Sequence, residues 1–298
     1  MAIANEAEAV EQWLAAGDVD GAADAVERAA PDMLKAGELP AMLALLARLP
    51  QDVVASRPML CVSYAHGLFT RGRLTEVEQW LSRAEQALQV SRRACAPSIA
   101  ARDERTLAGA IAHGRSVLAA MRGDADTAER CARAALASLP PHDLAGRAGP
   151  TLSLGHACRL RGNFATAEAA YAEASQVSFA AGNLFMGTLA LTHRAYTLNL
   201  MGRLREAARL YQHAIDRAQE RGGQASALAA SASAGLGDIL YQWNDLAGAR
   251  AALEHAVALG TQWEAVEDLV TAHALLANTL LTQGAIAEAN AAMARAHK

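Results

Sequence analysis

One hydrophobic rhythm recurs along the chain. The phrases "LGDILYQWNDLAGARAALEHA" (236–256) and "NLMGRLREAARLYQHA" (199–214) share it in different letters: an apolar helical run, a turn residue, Leu two places on, then small residues at fixed offsets. With the turn residue as zero, the zeros are Gly72, Gly123, Gly162, Gly202, Asn244 and Gly284, spaced 51, 39, 40, 42 and 40 residues apart. Offset +12 holds Ala84, Ala135, Ala174, Ala214, Ala256 and Ala296, and offset +5 holds Val77, Ala128, Ala167, Ala207, Ala249 and Ala289. Offset −7 is small throughout: Ala65, Ser116, Gly155, Ala195, Gly237 and Ala277. Offset +2 is mostly a larger apolar residue: Leu74, Ala125, Phe164, Leu204, Leu246 and Ile286.

This pattern predicts two antiparallel helices joined by a tight turn. Gly, or Asn at position 244, takes the left-handed conformation that ends the first helix. Small residues at −7, +5 and +12 let the two backbones approach, and larger ones at −8, −4 and +9 fill the space between hairpins. One hairpin cannot bury its apolar face alone, so the units stack. The offsets resemble those of the tetratricopeptide repeat, with a period near forty instead of the usual 34. That resemblance implies an all-α fold, a right-handed superhelical α-solenoid of helical hairpins.

The rhythm also sets the organisation. Residues 1–298 read as a single helical-repeat domain, with atypical N-terminal helices over 1–58 and about six repeats over 59–298. Gly17 opens a weaker early copy (Val19, Ala22, Val26, Ala29), and Gly37 follows only twenty residues later. Pro40, Pro50 and Pro58 punctuate short helices. "SRRACAPSIAARDER" (91–105) and "LPPHDLAGRAGP" (139–150) read as loops.

Composition narrows the partners. Ala supplies about a quarter of the chain and aromatics 4%, a balance suited to closely packed helices. A net charge of −4 gives no reason to expect binding to a phosphate backbone. Lys occurs only at Lys35 and Lys298, so the cations are almost all Arg. Cys61, Cys95, Cys131 and Cys158 form no CxxC pair; apart from Cys95 they lie in apolar helical stretches and read as buried thiols. With no signal peptide and no long apolar run, a cytoplasmic location is expected.

The search for chemistry returns no catalytic set. No P-loop, nucleophile elbow or H-E-x-x-H motif occurs, so no enzyme activity, metal site or cofactor is expected. His213 and His255 share offset +11, which reads as a solvated face. Binding is the better prospect. In a tetratricopeptide array the first helices line the concave face, with offsets −10, −6, −3 and −2 pointing inward. Those offsets collect His156, Arg159, Thr192, Tyr196, Asn199, Asp238, Tyr241, Gln242 and Asn278, a polar groove suited to a small effector or a regulatory protein. Arg159 would pair an anion, with Tyr196 and Tyr241 as stacking walls. Trp243, beside its turn, reads as a packing anchor. The last unit keeps its small-residue face through Met293 and Ala296, which points to possible self-association there.

"GELPAMLALLARLPQDVVASRPMLCVSYAHGLFTRGRLTEVEQWLSRAEQAL" (37–88) and "GLGDILYQWNDLAGARAALEHAVALG" (235–260) resemble the helical-repeat region of MalT-like regulators, large ATP-dependent LuxR-type transcription activators. The resemblance runs from about Glu6 to His297. It implies a sensor region that receives an inducer or an inhibitory partner and controls ATP-dependent assembly. The NTPase and helix-turn-helix of that family have no counterpart in this sequence, so neither ATP hydrolysis nor direct DNA binding is expected of it. The alternative is a stand-alone scaffold recognising a peptide or a partner surface.

Overall fold

Every turn residue of the repeat adopts the left-handed backbone. In the computed structural model, φ is 64° to 78° at Gly72, Gly123, Gly162, Gly202 and Gly284, and 61° at Asn244. The helix ends close as the αL conformation requires. Arg203 N–H donates back to Leu198 O at 2.9 Å, and Asp245 N–H to Leu240 O at 2.9 Å, satisfying carbonyls that the helix leaves unpaired. Gly17 (φ 76°) does the same near the start, and so does Gly182 (φ 73°), an inter-hairpin turn absent from the sequence reading.

The structure describes residues 2–36, 38–69, 72–93, 101–219, 225–263 and 266–296. No strand occurs among them. Where the sequence reading takes 1–298 as one array, the internal contacts group the chain into two compact units, Met1–Asn163 and Phe164–Lys298.

The first unit holds α1 (Ala2–Ala15), α2 (Val19–Ala36), α3 (Leu39–Leu46), α4 (Gln51–Ser56), α5 (Pro58–Phe69), α6 (Leu74–Arg93), α7 (Ala101–Met121), α8 (Ala125–Ser138) and α9 (Leu144–Leu160). The prolines punctuate short helices as expected: Pro40 sits in the first turn of α3, Pro50 caps α4, and Pro58 opens α5. Arg57 ties α2 to the start of α5 through Asp20, Asp24 and Glu27. Tyr64 stacks on Trp80 at 4.5 Å between centroids, and Arg83 lies 4.5 Å over the same indole.

Both expected loops change. Helix α9 begins at Leu144, so the loop expected over 139–150 shrinks to 139–143. Asp143 caps the helix by accepting from Gly146 N–H at 3.0 Å, and Pro150 lies inside it. The loop expected at 91–105 is flanked by α6, which runs to Arg93, and α7, which starts at Ala101. Residues 94–100, Cys95 included, lie outside the described residues.

The second unit holds α10 (Phe164–Ala180), α11 (Leu184–Leu200), α12 (Leu204–Gln219), α13 (Ala225–Gln242), α14 (Leu246–Trp263), α15 (Val266–Thr282) and α16 (Ile286–Ala296). Each packs on its neighbour in sequence, and the first helices α11, α13 and α15 also pack side by side.

The small offsets are where the hairpins close. Ala207 and Ala214 are buried with Ala195 across from them, Ala289 with Ala277, and Ala249 and Ala256 with Gly237 across from them. In the first unit Ser116 (−7) donates its hydroxyl to Ala128 O (+5) at 2.7 Å. In the second, a Cβ at Gly237 (−7) would stand 2.6 Å from Leu253 Cγ and 3.3 Å from Ala249 O. Leu253 stands at offset +9, and the same offset also reaches the next hairpin. Leu81 occupies the space over Gly114, Tyr211 that over Gly235, and Tyr171 stacks on His193 at 5.6 Å. All three partners stand at −9 of the following repeat, so one register repeats along the chain.

Candidate functional site

The first helices of the second unit bring their polar offsets together. Asn199 (−3, on α11) donates its amide to Asp238 Oδ2 (−6, on α13) at 3.0 Å. Gln242 (−2), one turn along α13, donates to the same oxygen at 2.9 Å and approaches Asn199 Oδ1 at 3.4 Å. On the next pair of helices, Tyr241 OH lies 3.2 Å from the Thr282 hydroxyl, which in turn donates to Asn278 O at 3.0 Å. The same rule operates twice: the residue at −3 meets the residue at −2 of the following repeat. Thr282 was missed by the sequence reading, and this offset rule is the signal that would have found it.

The remaining sequence candidates divide. Tyr196 and Tyr241 are exposed, at 42% and 36%, as rings offered to a ligand must be. Asn278 is exposed on α15. Thr192 is 8% exposed, and its hydroxyl donates to Thr188 O at 3.0 Å within its own helix, so the structure does not bring it to this surface. His156 and Arg159 are half-buried on α9 and belong to the first unit.

Trp243 is not the packing anchor expected from sequence: its indole is 44% exposed. His213 and His255 lie on an exposed face as expected, His255 with Nδ1 3.1 Å from the Ser233 hydroxyl.

The titrating groups describe packing instead of chemistry. His66 on α5 and His113 on α7 have ring centroids 5.6 Å apart. Burial holds their imidazoles neutral, with pKa values lowered to about 4 and about 3, and His66 adds to the fall at His113. Burial pushes the Cys61 thiol up to about 12 and raises Cys131 and Cys158, the opposite of an activated nucleophile. Among the described residues no group of three or more His, Cys, Asp or Glu is arranged to hold a metal, and no helix is long and apolar enough to cross a membrane.

A family model described as "MalT-like TPR region" matches residues 109–298. The serine/threonine-protein kinase PknK of Mycobacterium tuberculosis is 28% identical over 289 residues, covering 93% of this chain and 24% of that protein. The chain therefore spans about a quarter of the length of the curated relatives it matches. Among solved structures, a signal transduction ATPase with numerous domains (STAND) carrying a tetratricopeptide repeat sensor, from Pyrococcus horikoshii, superposes with a TM-score of 0.65. The identity is 14%, over 98% of this chain and 49% of that one. NprR in complex with its cognate peptide NprX gives 0.59 at 12% identity, over 99% of this chain and 78% of that one.

Proposed function

Because the chain belongs to the MalT-like TPR region family, we propose that it is the sensing region of a larger signalling protein and that an extended peptide or protein segment docks across α11, α13 and α15. The observation that carries this reading is the row of amides and hydroxyls linking successive first helices, Asn199–Asp238–Gln242 and then Tyr241–Thr282. Two amides hold one oxygen of Asp238, which leaves the other to accept from a peptide N–H. Tyr196 and Tyr241 flank the row as exposed rings, and Asn278 extends it. Repetition at the repeat spacing suits an extended ligand, which presents a backbone group to each repeat in turn. The NprR neighbour, whose structure contains a peptide, supports the same reading. In the full protein, occupancy would bias the packing between adjacent hairpins and so the activity of the attached domains, transcription activation in a MalT-like protein.

A thermal-shift and affinity screen with peptides, sugars, nucleotides, amino acids and acidic metabolites tests this. A ligand at a hundredfold excess over its Kd stabilises the folded state by about 2.7 kcal/mol. Saturable peptide binding that falls at least tenfold in Asp238→Ala and Asn199→Ala, with helicity intact, supports the reading. Peptide binding indifferent to both variants overturns it. A saturable sugar, nucleotide or metabolite hit lost in Asp238→Ala would replace the peptide by a small effector at the same residues. His156 and Arg159 are tested separately by His156→Ala and Arg159→Ala.

A further inference from the structure

Offset −1 follows a charge rule in the first unit that the Asn244 turn of the second unit reverses. Arg122 (−1) pairs with Glu78 (+6 of the preceding repeat) at 2.7 Å, and Arg161 (−1) pairs with Asp126 (+3) and Glu129 (+6). The turn of one repeat thus sets a cation against the acids on the second helix of the repeat before it. Gln283 (−1) keeps the contact in neutral form, donating to Leu246 O (+2) at 3.1 Å.

At the turn before Asn244 the partners are inverted. Offset −1 is Trp243, offset +3 of the preceding repeat is Arg205, and offset +6 is the small Ala208. The space that an arginine–carboxylate pair fills elsewhere is here an open cleft of about 340 Å³, lined by Gly202, Arg203, Leu204, Arg205, Glu206 and Trp243. Glu206 is spent on Arg203 at 2.6 Å, and Arg209 acts on the same carboxylate. Arg205 is exposed and makes no salt bridge among the described residues. Two lining arginines, Arg203 and Arg205, stand against one lining glutamate, on a chain whose net charge is −4. Alongside it Met201 and Leu200 are 37% and 46% exposed.

We propose that this cleft is a second binding site, which takes an acidic, apolar linear peptide segment. Its carboxylate sits on Arg205, which Trp243 at offset −1 leaves without an acidic partner, and its neighbouring apolar or aromatic side chain lies against Trp243. The segment supplies from outside the acid that the Arg122 and Arg161 turns carry within the chain. The site lies at the turn, next to the Asn199–Asp238–Gln242 row in sequence, and its lining uses none of the row's side chains.

The test is selection of random heptapeptides displayed on phage against the full chain, followed by affinity measurement of the enriched peptides on variants. The expected result is enrichment of Asp or Glu beside an aromatic or aliphatic residue, with binding at least tenfold weaker to Arg205→Glu and to Trp243→Ala and unchanged by Asp238→Ala. Salt should weaken binding as well, since the pair is exposed. Both substituted side chains face solvent, so an unchanged melting temperature in each variant verifies that the fold is intact. Failure to enrich any peptide, enrichment of basic peptides, or affinity within twofold of the parent in Arg205→Glu would each overturn the proposal. Loss of binding in Asp238→Ala instead would assign the peptides to the first-helix row.

Discussion

A Cβ at Gly235 of α13 would stand 2.2 Å from Cζ of Tyr211 on α12, so the buried ring occupies the space that any larger residue at 235 needs. Ala for Gly in a helix interior is worth about 1 kcal/mol in propensity. Overpacking a buried contact costs about 1–3 kcal/mol. The clash outweighs the propensity gain, and Gly235→Ala should lower stability by up to about 2 kcal/mol in denaturant unfolding. Stabilisation by that substitution would mean that the ring moves freely, against its burial.

The turns give a prediction of the opposite sign. Asn244 pays a left-handed backbone, φ 61°, that glycine adopts without cost. Asn244→Gly should therefore be neutral or stabilising by up to about 1 kcal/mol, whereas Gly202→Ala, at φ 74° with nothing near its Cβ, should destabilise by about 1–2 kcal/mol through backbone strain alone. Thermal unfolding followed by circular dichroism distinguishes the two.

Offset +9 separates a core position from an open one. Leu253 is fully buried, over Gly237 of its own hairpin and in one cluster with Ala272 and Leu276 of the following one, while Met293, the same offset on α16, is 37% exposed. Leu253→Ala should cost about 2–5 kcal/mol, and Met293→Ala less than about 0.5 kcal/mol. The self-association proposed through this helix is read by sedimentation: Met293→Glu should dissociate an oligomer built on that contact, and an oligomer indifferent to the change would exclude it.

Acid should weaken the first unit through His66 and His113. Their folded pKa values, about 4 and about 3, lie below the ordinary value of 6.5. The unfolded chain therefore takes up protons that the folded chain refuses as pH falls from about 6.5 toward 3. Stability is complete above pH 6.5 and is lost below it, by about 1–2 kcal/mol per histidine between pH 7 and pH 5. The variant His113→Gln should flatten that slope; an unchanged pH profile would show that the ring is solvated.

The repeat itself was legible in the sequence. Turn residues at near-constant spacing and small residues at −7, +5 and +12 are local requirements, since a left-handed turn tolerates few side chains and a close helix crossing admits only small ones. Six turns, the hairpin register and the all-α class follow from them. What needed the tertiary structure were the relations between repeats. Sequence placed Thr192 and Tyr196 on one inward face, but the helix rotation buries the first against Thr188 and exposes the second. It gave Trp243 a packing role, and the structure leaves that residue 44% exposed beside an open cleft. Thr282 and the two-amide grip on Asp238 depend on side chains some forty residues apart. Local rules fix where a helix ends and which face must be small; which polar atoms meet across two hairpins is set by how those hairpins pack.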